Sequence, residues 1–348
     1  MAEKQSLEKP CPVCSALGTH MYADFDSDMS FPKEFVSLTD VRRFGEDDYL
    51  RQCPACGAYY KCHWETDNDI ICPTHTGEYT RISKDEADQM LLHDDMSNKI
   101  YGSHYLWFRD IVHTFPGLPK DFVEEIKSSN CEPVVDGAMI KPFTLSLKET
   151  HYFFNKSSAL DTKHEEKIKQ LHLPKIVARR TVARVARPVH HFYVISTIDK
   201  EGLINIDTVF NIVITDKKYH LNYALAFLNS KFCAWFMNSF LFGKAVKVTR
   251  VNDYCINSMP IFPASIKQQA PIIQLVDKMF DLVQKFMNRA QSIKNNDEQS
   301  KLEADIVKTE NEMNSQIYGL YKFDEEERAV IENAVGIKSI ILQLLSRQ

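Results

Sequence analysis

Two tight cysteine pairs, Cys11-Pro-Val-Cys14 and Cys53-Pro-Ala-Cys56-Gly57, constrain this chain more than any other feature of it. Ligands three positions apart on a turn put both sulfurs on one side of a cation, and two such turns complete a tetrahedron with Zn–S bonds of about 2.3 Å. The proline and the glycine favour that turn. The first ten residues, MAEKQSLEKP, are polar and lead into no apolar stretch, so a cytoplasmic location is expected. In that compartment paired cysteines point to metal before disulfides. The expected cofactor is a structural Zn2+ held by Cys11, Cys14, Cys53 and Cys56. The 38 residues between the pairs exceed what a compact ribbon needs, so an inserted segment is expected to loop out. Cys72-Pro-Thr-His75 is a competing two-ligand turn that could replace Cys11 and Cys14. In the four-cysteine assignment Cys62 and Cys72 are small core residues.

Charge divides the chain at about the same place. Residues 1–96 hold 9 Lys+Arg against 19 Asp+Glu, or −10, which leaves 33 against 28, or +5, for the remainder. An acidic front and a mildly basic body imply two units with different partners. At −10 the first unit is a poor match for phosphates, and it reads as a staple or a protein-docking module.

The fold class expected is α+β in three parts. Residues 1–95 form a small zinc-stapled, mainly β unit with strands near Tyr49–Gln52 and Ala58–Cys62, closed by a helix over Lys84–His93. A short linker through Asp94 and Asp95 leads to a mixed α/β domain over 97–263. Its strands are expected at Lys175–Arg179, Phe192–Ile198 and Val209–Thr215, with a turn at Asp199 and Gly202. A helical bundle over 264–348 follows. It comprises a long amphipathic helix from Pro271, a second over about Lys301–Gln316, and a third capped by Asp324 with Glu327 three residues on.

The segment Tyr223–Phe242 is about as long as a membrane-crossing helix. It contains Asn229, Ser230, Lys231 and Asn238, and a lysine near the middle of a span costs roughly 2.5–3.5 kcal/mol. It is therefore read as a buried core helix, part of a run from Tyr219 to Phe240 that repeats apolar residues at helical spacing and ends at Gly243, a plausible C-cap.

Basic residues concentrate in two places. Residues 163–191 carry Lys163, Lys167, Lys169, Lys175, Arg179, Arg180, Arg184 and Arg187 against Glu165 and Glu166, and Lys244, Lys247 and Arg250 follow the apolar helix. Such an excess is the footprint of a phosphate backbone, with arginines suited to guanine edges. The contact set expected is Lys175, Arg179, Arg180, Arg184, Arg187, Lys244, Lys247 and Arg250.

A family resemblance spans residues 135–335. Leu173-Pro174-Lys175-Ile176-Val177-Ala178-Arg179-Arg180, then Tyr223-Ala224-Leu225-Ala226-Phe227-Leu228-Asn229-Ser230-Lys231, then Asn257-Ser258-Met259-Pro260-Ile261, occur in this order. The tail carries Glu312-Met313-Asn314-Ser315-Gln316-Ile317-Tyr318-Gly319-Leu320-Tyr321 and Phe323-Asp324-Glu325-Glu326-Glu327. Together they resemble the TaqI-like C-terminal specificity domain of restriction-modification enzymes and adenine-N6 DNA methyltransferases. Asn314 stands where that family usually has aspartate. The cysteine-bearing unit resembles no family pattern.

The resemblance implies double-stranded DNA as one partner and a methyltransferase or endonuclease subunit as another. The chain has no Pro-Pro pair to hold a flipped base and no two glycines two residues apart for a cofactor loop, so methyl transfer by this polypeptide alone is not expected. Asp161, Glu165 and Lys167 only distantly resemble a nuclease motif, and His190-His191 reads as a strand-edge pair. Two alternatives stand beside DNA recognition: a methyltransferase remnant without catalysis, and a zinc-containing protein-interaction module.

Overall fold

The computed structural model of the chain describes residues 11–27, 29–44, 47–67, 74–102, 106–125, 130–147, 152–155, 162–181, 183–185, 191–241, 250–289, 296–336 and 338–345. The chain divides into two compact units, Met1–Lys99 and Ile100–Gln348. The architecture is α+β: antiparallel sheets with helices segregated from them.

The first unit runs α1 (Pro12–Leu17), β1 (His20–Asp24), β2 (Thr39–Phe44), β3 (Asp48–Gln52), β4 (Tyr59–Asp67), β5 (Thr74–Ile82) and α2 (Lys84–Tyr101). The strands form one antiparallel sheet in the order β1-β5-β4-β3-β2. Its register sets Tyr49, Cys62, Tyr79 and Met21 in a row across four strands. With Phe35, Leu38, Tyr60, Cys14 and Cys53, this face builds the unit's core. The segment between the cysteine pairs is no looped-out insertion, because it supplies β1, β2 and β3 of that sheet. Cys62 is buried as expected, and Cys72 lies outside the described residues. The expected linker at Asp94 and Asp95 is helix instead. Arg42 of β2 donates to both carboxylates, at 2.7 Å and 3.2 Å, which engages them while α2 continues to Tyr101.

The second unit opens with β6 (Leu106–Trp107), α3 (Phe108–Ile111), β7 (Val112–Pro116), β8 (Cys131–Val134), β9 (Ile140–Lys141), β10 (Thr144–Leu145) and β11 (Tyr152–Asn155). Next come α4 (Thr162–Leu171), β12 (Lys175–Arg179), β13 (Ala183–Val185), β14 (His191–Tyr193), β15 (Ser196–Asp199) and β16 (Val209–Ile214). Its principal sheet has the order β15-β12-β16-β7, with β12 flanked on both sides. Four successive residues of β12, from Lys175 to Ala178, are buried, which requires cover on both faces of the sheet. The expected strand over Phe192–Ile198 is divided: β14 pairs with β13 and β15 pairs with β12.

The apolar stretch is two short helices, α5 (Leu221–Leu228) and α6 (Lys231–Phe236), followed by a π turn at Met237–Leu241. Every residue from Asn222 to Phe236 is buried, and α5 packs between β15 and the long helix Ile266–Arg289. Among the described residues no helix is long and apolar enough to cross a membrane. Gly243 lies outside them.

After α7 (Asp253–Asn257) and β17 (Pro260–Ile261), helices α8 (Ile266–Arg289), α9 (Asn296–Leu320), α10 (Glu325–Val335) and α11 (Ile340–Leu345) end the chain. Buried Ile272, Val276, Met279, Val283 and Phe286 recur at spacings of four and three, the stripe that seats α8 on α9. The helix starts five residues before the expected Pro271, which stands inside it and removes one helical N–H donor. The capping box at Asp324 and Glu327 is present, each side chain taking the other's backbone N–H.

Candidate metal centre and nucleic-acid interface

The two cysteine turns converge. Sγ of Cys11 lies 3.8 Å from that of Cys53, Sγ of Cys14 lies 3.3 Å from that of Cys56, and all four sulfurs fall within 4.8 Å of one another. A tetrahedron with metal–sulfur bonds of about 2.3 Å has edges of about 3.8 Å. These are contacts between free cysteines, far longer than a disulfide bond of about 2.0 Å.

Backbone geometry fixes the arrangement. The first pair brackets the start of α1, with Cys11 at its N-cap, where Ser15 N donates to Cys11 O at 2.9 Å. The second closes a turn in which Gly57 N donates to Cys53 O at 2.8 Å, with Gly57 in the left-handed region at φ 75°. Hydrogen bonding from the backbone N–H of Cys14 draws the Cys11 thiol down to about 7, whereas burial pushes that of Cys14 up to about 12. A thiophilic cation suits the set, because four converging thiolates in a partly dry site need a positive centre. His75, of the competing turn, lies on β5 with its backbone N–H bonded to Asp26 Oδ2 at 2.6 Å; its neighbour Cys72 lies outside the described residues.

The basic residues fare unevenly. Lys175, expected to face phosphates, is 0% exposed. Its Nζ donates to Asp199 Oδ2 at 2.5 Å, to Leu203 O at 3.1 Å and to Leu171 O. Burial lowers its pKa, and Asp199 opposes that shift. Arg179 is also committed inward: Nε donates to Ile140 O at 2.6 Å and Nη2 to Ala138 O at 3.1 Å. Arg180 is half-buried, with Nη1 bonded to Asp207 O at 3.1 Å. These three hold strand and loop backbones in place.

The rest of the basic set lies further along. Arg184 is on β13, whose backbone alone is described, while Arg187, Lys244 and Lys247 lie outside the described residues. Arg250 is exposed. The structure brings the two basic stretches together: Thr181 and Arg250 form an antiparallel bridge, and Val251 N donates to Arg180 O at 2.7 Å. Nothing in the spacing of these segments signals that junction. An exposed aromatic, Tyr254, follows Arg250 on α7 and was also silent in the sequence. Of the residues resembling a nuclease motif, Glu165 and Lys167 are on helix α4, and Lys167 Nζ donates to Gly117 O at 2.6 Å. Asp161 and His190 lie outside the described residues.

The motif residues Asn229, Ser230 and Lys231 form the elbow between α5 and α6. Asn229 Oδ1 accepts from Ser196 Oγ at 2.9 Å and its Nδ2 donates to Ser196 O at 3.0 Å. Ser230 caps α6, accepting from Cys233 N at 3.0 Å. Lys231 N donates to Asn314 Oδ1 at 2.9 Å, and its ammonium pairs with Glu332. The motif is thus a joint between the principal sheet and the closing helices, with Asn314 supplying the accepting oxygen.

Residues 132–261 match the TaqI-like C-terminal specificity domain. The resemblance drawn from Leu173–Arg180, Tyr223–Lys231 and Asn257–Ile261 is borne out over that stretch, and the tail motif lies beyond it. Among curated proteins none matches the chain. Among solved structures, a chain from a study of complex assembly and conformational transition of the type I R-M system is similar at 8% identity with a TM-score of 0.34. The similarity covers 72% of this chain and 55% of that one, so this chain spans about half the length of that neighbour. A likeness that loose transfers nothing further.

Proposed function

We propose that the second unit reads a specific sequence in double-stranded DNA as the target-recognition part of a restriction-modification system. A methyltransferase or endonuclease subunit in trans supplies the chemistry. What carries this reading is that the family match over 132–261 encloses both basic stretches, which adjoin at the Thr181–Arg250 bridge. The contact set that fits is Arg184, Arg187, Lys244, Lys247 and Arg250, with Arg180 at its margin. Arginines there suit base edges and lysines suit phosphates. Lys175 and Arg179 shape the scaffold behind it.

The first unit, in this reading, is a zinc-stapled module whose cation is Zn2+ on Cys11, Cys14, Cys53 and Cys56. Its charge of −9, from 10 Lys+Arg against 19 Asp+Glu over residues 1–99, suits a protein partner better than a phosphate backbone.

Selection of bound fragments from a random duplex library tests the proposal. One recovered sequence motif, bound with an affinity that falls steeply as salt rises, is the expected result. Binding that is absent or insensitive to salt would instead make the chain a protein-interaction module.

A further inference from the structure

Two tyrosines of the first unit sit on neighbouring strands with ring centroids 5.9 Å apart, both fully buried. Tyr79 has its hydroxyl satisfied, donating to Leu17 O at 2.7 Å. Tyr60 differs: its Oη is buried without a hydrogen-bond partner, one of three such side-chain atoms among the described residues. A hydroxyl taken out of water and left unpaired is a standing cost to the fold. The same ring on Phe would avoid that cost while filling the same space.

Cys14 and Tyr60 share one buried core. Within it, Cys14 is the side chain that the Tyr60 hydroxyl interacts with, and Cys53 lies in the same core. The other ligands have different sources of support. Cys11 takes the backbone N–H groups of Cys14 and Val13, and Cys56 takes that of Ala58 and is exposed to water. Cys14 is 6% exposed, so a thiolate there depends on protein donors. A neutral thiol is a weak acceptor, whereas a thiolate forms a strong, charge-assisted hydrogen bond.

We propose that Tyr60 is an outer-sphere donor of the metal centre, its Oη–H bonding to Sγ of Cys14 once a cation holds that sulfur as thiolate. The unpaired hydroxyl then has a purpose: it orients one ligand and withdraws charge from it. The proposal rests on the four-cysteine metal reading. Tyr60 is a positioning residue, and its effect is felt only through the bound metal.

The test uses the full chain loaded with Co2+ or Zn2+. Tyr60→Phe removes the hydroxyl and keeps the ring; Tyr79→Phe is the matched control, because its hydroxyl serves a carbonyl. Tyr60→Phe is expected to weaken Zn2+ affinity about tenfold against a chromophoric chelator. It should also move the thiolate-to-Co2+ charge-transfer band to lower energy, because the sulfur loses a donor that stabilises its electrons. Tyr79→Phe should leave the band in place. The band reports only metal-bound molecules, so a change in fold stability alone does not shift it. Wild-type affinity and an unshifted band in Tyr60→Phe would overturn the role of Tyr60 while leaving the metal centre intact. Failure of the wild-type chain to take up either metal would overturn the centre itself, and the proposal with it.

Discussion

Nζ of Lys175 lies 2.5 Å from Oδ2 of Asp199, with the two side chains at 0% and 1% exposure. Asp199 also accepts the backbone N–H groups of Glu201, Gly202 and Leu203, at 3.0, 3.0 and 2.7 Å. Lys175 reaches back to Leu171 O at the end of α4, so one pair locks a helix end, a strand and a turn. Removing one member of a buried pair strands the other. Lys175→Met should therefore cost about 3–5 kcal/mol in urea denaturation. Where the variant is folded, the salt dependence of DNA binding should be unchanged. A loss below about 1 kcal/mol would mean that the three amide donors alone satisfy Asp199.

Among the described residues of the basic set, Arg250 is the exposed one, beside the Thr181 bridge. If it neutralises one phosphate, Arg250→Ala should weaken binding across all duplexes and flatten the slope of log K against log salt by about 0.9. Arg179→Ala should behave differently: it releases the carbonyls of Ala138 and Ile140 and lowers stability without flattening the slope. An unchanged slope for Arg250→Ala would remove that residue from the interface.

The sequence made the cysteine turns legible because ligand spacing is itself a geometric statement, and the four sulfurs converge as that spacing requires. The capping box at Asp324 was legible for the same reason, being local. What stayed hidden depends on distant partners. Asp94 and Asp95 read as linker because their partner Arg42 lies 52 and 53 residues away. Arg179 read as a DNA contact because the carbonyls that engage it, Ile140 and Ala138, lie 39 and 41 residues back. A cluster of positive charge in a sequence does not distinguish a guanidinium that braces backbone from one that faces solvent.

The metal centre predicts a stoichiometry and a coupling. Elemental analysis should find about one zinc per chain, lost when Cys53 or Cys56 is changed to Ser. Metal binding and folding are linked in small units of this kind, so a strong chelator should unfold the first unit. Trp64 reports it, being packed on Phe31, Phe35 and Tyr49 with Arg51 over its ring at 5.4 Å. Full zinc retention in the doubly substituted chain would refute the ligand set.

Glu310 gives the second unit a pH dependence of definite sign. Its buried carboxylate accepts from Ile340 N at 3.1 Å and from the Ser339 hydroxyl, holding the start of α11 against α9. Burial raises its pKa from the ordinary 4.5 to about 7, against the opposing pull of Ser339 and Lys231. The folded chain then binds this proton more tightly than the unfolded chain. The stability it contributes is complete below about pH 4.5 and is lost as pH rises through about 7. The loss is on the order of 3 kcal/mol at most, at 1.36 kcal/mol per unit. Glu310→Gln keeps both contacts, the amide oxygen accepting from Ile340 N and the amide nitrogen donating to Ser339 Oγ, but does not titrate. The stability difference between variant and wild type should therefore widen in favour of the variant from pH 4.5 to 7 and then level off. Parallel stability curves over that range would mean that Glu310 keeps an ordinary carboxylate pKa in the folded chain.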